Sequence, residues 1–188
     1  MVNDKFEIDK SRIVVSEDEY NQIIRRLATE IVNYYTNLNV KEIIVFGLLD
    51  GCLMVMPDIT RKLYPFIKLQ CGTMKVTRYG TGNTEGKEEP SIKFDINKNI
   101  KDQYILILDD CGDKLTTLDF VVRFLMLKEP KQIDICVLVN KPMNNLKNVN
   151  IKLTFIGKNI GPDFVAGCGM DDLDGTGRNV PFIYKVIM

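Results

Sequence analysis

One stretch limits the possible folds of this chain more than any other. Tyr104-Ile-Leu-Ile-Leu108 is a continuous apolar run, the pattern of a strand covered on both faces. A polar turn follows from Asp109 to Leu115. Leu118, Val121, Val122 and Leu125 then recur at helical spacing, and the helix stops at Pro130. Thr116 or Thr117 offers a hydroxyl to cap it. Ile133 to Val139 is a second apolar run. Strand, helix and strand in that order predict a βαβ unit with parallel strands and a right-handed crossover.

The remaining segments extend this pattern. Ser16 and Glu19 form a capping box ahead of a helix, which carries Tyr20, Ile23, Ile24, Leu27, Ile31, Tyr34, Tyr35 and Leu38 on one face. Tyr34 and Tyr35 read as packing residues. Ile43 to Leu49 predicts a buried strand, and Leu53 to Leu63 a helix in which Pro57 sets the first turn or kinks it. Met54 and Met56 are expected to fill core. Ile67 to Val76 predicts another strand. Residues 77–91 are polar and Gly-rich and read as a long mobile loop, the kind that serves as a lid. Ile92, Phe94 and Ile96 alternate as a short exposed strand does. Ile151–Ile156, Phe164–Met170 and Phe182–Ile187 supply further strands. Without repeats or an internal linker, residues 1–188 read as a single α/β domain, with helices flanking a mainly parallel central sheet.

Composition excludes several kinds of chemistry. The chain has no histidine, which removes Ser-His-Asp and Cys-His catalysis and HExxH zinc sites. Proton transfer must use carboxylates, Lys, Tyr, Cys or water. Lys+Arg 25 balance Asp+Glu 25, so neither nucleic acid nor a membrane surface is an expected partner. The five cysteines are scattered without a CxxC pair. No signal-peptide core and no run of 18 apolar residues occurs. A soluble cytoplasmic protein with reduced thiols is the expectation.

In open α/β sheets ligands bind beyond the carboxyl ends of the strands. Asp109, Asp110 and Asp113 lie there with Lys114, Thr116 and Thr117 at a helix start. A helix N-terminus with hydroxyls attracts phosphate, and nearby carboxylates accept sugar hydroxyls or hold magnesium through water. An acidic turn that merely solvates a strand end is the plainer reading of the same residues. Phe164 reads equally well as core or as a platform for a flat ligand. Cys111 is a poor nucleophile candidate, with no adjacent cation evident.

Four blocks in register go further. They are Val45-Phe-Gly-Leu-Leu-Asp50-Gly51-Cys52, Met74-Lys-Val-Thr-Arg78-Tyr79-Gly-Thr-Gly, Ile107-Leu-Asp109-Asp110-Cys-Gly-Asp113-Lys114-Leu115-Thr116-Thr117 with Lys141-Pro downstream, and Phe164-Val165-Ala-Gly-Cys-Gly-Met-Asp171 with Arg178-Asn-Val-Pro. Together they resemble the hypoxanthine-guanine phosphoribosyltransferases, which have the type I phosphoribosyltransferase fold. The resemblance runs from about residue 12 to the C-terminus. It implies purine salvage, in which the 5-phosphoribosyl group of phosphoribosyl diphosphate passes to hypoxanthine or guanine, with a small purine-binding subdomain beside the sheet. By the same resemblance Asp113 is the general base or acid, and Asp109 and Asp110 hold the ribose hydroxyls and one Mg2+. Lys114, Leu115, Thr116 and Thr117 cradle the 5-phosphate. Asp50, Gly51 and Arg178 face the diphosphate, and Asp171 binds a second Mg2+. Lys141 donates to the purine 6-oxo group, Phe164 and Val165 contact the base, and Arg78 and Tyr79 begin the lid. A homodimer or homotetramer is implied as well.

Three positions depart from the family pattern. Leu115 stands where the phosphate loop usually has Gly, a position that asks for positive φ, at a cost of about 1–2 kcal/mol. Asp50 replaces a Lys or Arg in the diphosphate turn, and Arg78 replaces a Ser in the lid. Two readings therefore remain at this level: a working transferase with a remodelled phosphate loop, and a catalytically impaired nucleotide-binding or regulatory protein on the same fold.

Overall fold

The computed structural model describes residues 8–79 and 89–187. Its main sheet has six strands in the order β4-β3-β2-β5-β6-β7. They are β2 (Glu42–Leu49), β3 (Lys68–Tyr79), β4 (Glu89–Phe94), β5 (Tyr104–Gly112), β6 (Gln132–Asn140) and β7 (Phe155–Asn159). All neighbours are parallel except β3 and β4. A second, antiparallel sheet joins β1 (Ile13–Val15), β9 (Ile183–Lys185) and β8 (Val165–Ala166). The mainly parallel sheet follows the expectation, and β5, helix α3 (Thr116–Met126) and β6 form the anticipated βαβ unit.

The core divides according to strand alternation. Ile43 and Val45 of β2, with Leu106 and Leu108 of β5, meet helices α1 (Glu17–Asn37) and α2 (Val55–Leu63). Ile44, Phe46 and Leu48 point the other way, with Ile105 and Ile107, onto Leu118, Val121 and Leu125 of α3. Helices cover both faces, which is why the central strands are apolar throughout. Met56 packs against the first layer. Met54 is instead exposed, because it lies in the turn ahead of α2. No helix among the described residues is long and apolar enough to cross a membrane.

Several boundaries differ from the sequence reading. The Ser16 hydroxyl accepts the Glu19 N–H at 3.2 Å, but the Glu19 carboxylate does not return to close the capping box. It takes Lys158 of β7 at 2.6 Å, so the cap doubles as a tie between α1 and the sheet. Residues 77–79 and 89–91, expected in a loop, form a hairpin with Thr77 opposite Ser91 and Tyr79 opposite Glu89. Backbone pairing there overrides polar composition. Residues 80–88, the middle of the expected lid, lie outside the described residues. The strand expected over 164–170 shrinks to Val165–Ala166 because Gly167, Cys168 and Gly169 have φ of 99°, 51° and 106°, which no strand accommodates. β7 begins at Phe155, its first partner on β6 being Cys136, while Ile151 and Leu153 pack as loop residues on the α3 side. α3 ends at Met126, ahead of Pro130.

Tyr34 and Tyr35 pack as expected, and their hydroxyls also serve a buried carboxylate. Asp134 is 3% exposed and accepts from Tyr35 at 2.9 Å, Tyr34 at 3.1 Å, Gln132 at 2.8 Å and Thr154 at 3.2 Å. A buried charge needs such donors. Tyr35→Phe is expected to lower stability by about 1.5–3 kcal/mol in urea unfolding. The partly exposed Tyr34→Phe should lose less, since water can replace its hydroxyl.

Candidate active site

The site opens at the carboxyl ends of β2 and β5, the two central strands. A hollow of about 230 Å³ is lined by Leu48 and Leu49 at the end of β2, by Gly51 after it, by Val76 of β3, and by residues of the β5–α3 turn from Asp109 to Leu118 other than Gly112 and Thr116. Asp109, Asp110, Asp113, Lys114, Leu115 and Thr117 all reach it. Leu115 takes φ 63° and ψ 0°, so the left-handed backbone that glycine favours is present with a leucine in it. Its side chain is partly buried in the α3-side core and abuts Gly112, where an added Cβ would meet Leu115 Cδ2 and Asn140 Oδ1. Apolar burial offsets the backbone strain. Neither Thr116 nor Thr117 caps α3. Leu115 is the cap residue and makes no side-chain capping hydrogen bond, and the positive end of the helix dipole there favours an anion.

Asp109 and Asp110 are adjacent near the carboxyl end of β5, with the Asp110 N–H donating to Asp109 Oδ1 at 3.1 Å. Gly51 lies directly against the Asp110 carboxylate, where any Cβ would collide with it. Burial pushes the Asp110 carboxyl above the usual carboxylate range. Hydrogen bonds at Asp109 and the backbone, and the Arg178 charge, pull it the other way. Among the described residues no group of three or more Cys, Asp or Glu side chains converges as a ready-made metal cage. Two adjacent carboxylates nevertheless suit magnesium, which usually takes one or two and completes its shell with water and substrate phosphate.

A second hollow, of about 180 Å³, shares Asp110, Cys111 and Asp113 with the first and adds Lys141, Phe164, Val165, Met170 and Asp171. Lys141 is 6% exposed, and its N–H donates to Gly112 O at 2.8 Å, which docks the end of β6 on the end of β5. Phe164 is 38% exposed and lines the hollow, so it is a wall of the site and not core. Asp113 stands where the two hollows meet. Asn144, in the turn after β6, donates to Asp113 Oδ1 at 2.7 Å and to Pro162 O at 3.2 Å.

The other expected site residues are placed differently. Arg178 donates to Asp171 Oδ2 at 2.6 Å and to Gly169 O at 2.6 Å. It lines a separate hollow with Tyr20 and Asp58. Asp171 and Arg178 are therefore paired with each other, Asp171 at the second hollow and Arg178 at a separate one. Asp50 pairs with Lys75 at 2.7 Å. Arg78 and Tyr79 continue β3 opposite Pro90 and Glu89. Sequence reasoning missed Asn144 and Lys75. Asn144 left a faint trace, an Asn-Asn turn just after Lys141-Pro; Lys75 left none, because only the β2–β3 register brings it to residue 50.

The sequence profile described as the phosphoribosyl transferase domain matches residues 16–172. The hypoxanthine phosphoribosyltransferase of Haemophilus influenzae is 31% identical over 176 residues, covering 94% of this chain and 95% of the relative. That of Buchnera aphidicola subsp. Schizaphis graminum is 33% identical, covering 94% and 96%. A crystal structure of a hypoxanthine phosphoribosyltransferase from Staphylococcus aureus superposes with a TM-score of 0.82 at 26% identity, covering 93% of this chain and 90% of that one.

Burial pushes the Cys111 thiol up to about 12, with nearby carboxylates adding to the shift and Lys141 opposing it. A thiol this basic is not a nucleophile near neutrality. Iodoacetamide at neutral pH is expected to alkylate the exposed Cys71 and to spare Cys111 in the native protein, read by peptide mass spectrometry. Fast modification of Cys111 would reveal a thiolate in the site.

Proposed function

The chain belongs to the phosphoribosyl transferase family, and on that premise we propose that it transfers the 5-phosphoribosyl group of phosphoribosyl diphosphate to a 6-oxopurine, hypoxanthine or guanine. The products are the nucleoside monophosphate and diphosphate. The observation that carries this reading is the position of Asp113, shared by two hollows of opposite character. One offers the α3 N-terminus and Lys114 to a phosphate. The other offers Phe164 and buried Lys141 to a flat base with a carbonyl.

In this reading the 5-phosphate lies on the first turn of α3, held by Lys114, Thr116, Thr117 and the backbone at Leu115. The vicinal ribose hydroxyls donate to Asp109 and Asp110. A divalent cation, magnesium in this proposal, would be held by the same two carboxylates and would neutralise charge on the diphosphate leaving group. The purine stacks on Phe164, presents its edge to Val165 and places its 6-oxo group on the Lys141 ammonium. An adenine amino group cannot accept from that ammonium, so Lys141 selects 6-oxopurines. The C1–O bond to diphosphate breaks, the C1–N bond to the base forms, and Asp113 takes the proton from the base nitrogen. Asn144 orients the Asp113 carboxylate for that transfer. Two carboxylates, a base and a phosphate held at once also supply the alignment that such a displacement needs.

The departures do not favour the impaired or regulatory reading. Leu115 adopts the backbone required of a glycine there, and the Asp50 charge is met by Lys75. A cytoplasmic location and a homodimer or homotetramer belong to the same proposal. The five free thiols support the first, and the apolar surface at Tyr64 and Phe66 supports the second.

Diphosphate release from phosphoribosyl diphosphate and magnesium is expected with hypoxanthine or guanine and not with adenine. Asp113→Asn should slow it by about 10²–10⁴-fold without unfolding the chain. Lys141→Met should raise the KM for hypoxanthine by about tenfold or more. No base-dependent release with any of the purines in a folded sample would reject the assignment.

A further inference from the structure

We propose that Lys75 supplies the cationic contact for the diphosphate end of the substrate, and that Asp50 is its resident counter-ion, lowering diphosphate affinity; this rests on the phosphoribosyl-transfer reading above. Leu49 and Lys75 are register partners on the parallel strands β2 and β3. The Lys75 side chain extends past the strand end, and its Nζ meets Asp50 Oδ2 at 2.7 Å. Asp50 occupies the centre of a turn whose neighbours on both sides, Leu49 and Gly51, line the larger hollow, and Val76 beside Lys75 lines it too. The ion pair therefore borders the hollow on the side of β2 and β3.

The charge inventory explains why a cation is needed at that end. The residues lining the hollow carry Asp109, Asp110 and Asp113 against one cation, Lys114. Lys114 precedes α3, where the 5-phosphate is placed. Arg178 lines a separate hollow, where it donates to Asp171 and to Gly169 O. The turn itself contributes a carboxylate. Among the described residues, Lys75 is the cation that the strand register brings to the diphosphate turn. An ammonium has three donors, so Lys75 can keep Asp50 and still donate to diphosphate oxygens. Its present pair is partly exposed, 31% for Lys75 and 47% for Asp50, the kind of pairing that holds weakly and is readily shared. Asp50 meanwhile repels the same anion, which makes the turn a weak holder of diphosphate and favours release of that product.

The two residues should therefore act in opposite directions, whereas a purely structural ion pair would make them act together. Inorganic diphosphate with magnesium is titrated calorimetrically into the full chain and into Asp50→Asn, Lys75→Gln and Lys75→Arg. Lys75→Gln is expected to weaken binding by about tenfold, Asp50→Asn to tighten it by about two- to fivefold, and Lys75→Arg to stay near the parent. Equal weakening by Lys75→Gln and Asp50→Asn, or no effect of Lys75→Gln, overturns the inference. Should Lys75→Gln fail to fold, Asp50→Asn decides by sign: tightening supports the inference and weakening rejects it. The titration needs no turnover, so its outcome is separate from that of the transferase assignment. Base-dependent release with Lys75-independent diphosphate binding would leave the function standing and remove only this inference.

Discussion

The pairing of β5 with a parallel strand on each side determines where the chemistry can be. β2 holds it from Ile105 to Leu108 and β6 from Tyr104 to Gly112, and its apolar side chains are locked between two helical layers. The chain must leave that strand at its carboxyl end, and it leaves with Asp109 and Asp110 already spaced by the pleat. Parallel strands require crossovers, so the exits of β2, β5 and β6 all lie at the same edge of the sheet. Gly51, Asp110 and Lys141 meet there although they are far apart in the chain. The Lys141 N–H bond to Gly112 O extends the sheet pairing into the site itself.

That crowding has an electrostatic cost, which the neighbours offset in distinct ways. Asp110 lies against Gly51, and burial favours its neutral form. Asp113 receives an amide donor from Asn144, and Asp171 receives the Arg178 guanidinium. Asp50 receives Lys75. Three of these partners come from segments that follow or precede the acidic turn by many residues, so the acidic surface is balanced through tertiary contacts and not along the chain. The buried Asp134 is handled in another way, by hydroxyl and amide donors with no cation among them.

Much of this was legible in the residues themselves. The apolar runs of β2, β5 and β6 could be read because strands buried on both faces show no alternation to misread, and the α3 spacing identified the crossover. The left-handed backbone at residue 115, implied by the family resemblance and not by the residues alone, is present at φ 63° with its leucine in place. The errors share a cause. The strand over 164–170 looked continuous because Val165, Ala166 and Met170 are apolar, yet three successive positive φ values turn the chain there. The polar 77–79 segment looked like loop because composition does not register a backbone partner, and β4 provides one. Glu19 looked like half of a capping box until Lys158, 139 residues away, took its carboxylate.

The sequence by itself determined the parallel sheet, the acidic strand-to-helix turn and the absence of any imidazole chemistry, because each depends on residue type at short spacing. Only the tertiary structure decided which partner each charge would have: Asn144 for Asp113, Lys75 for Asp50, Arg178 for Asp171. Local spacing specifies a helix or a strand through backbone sterics and burial. An ion pair instead depends on the distance between two side chains, which strand order and register bring together and which no stretch of sequence contains.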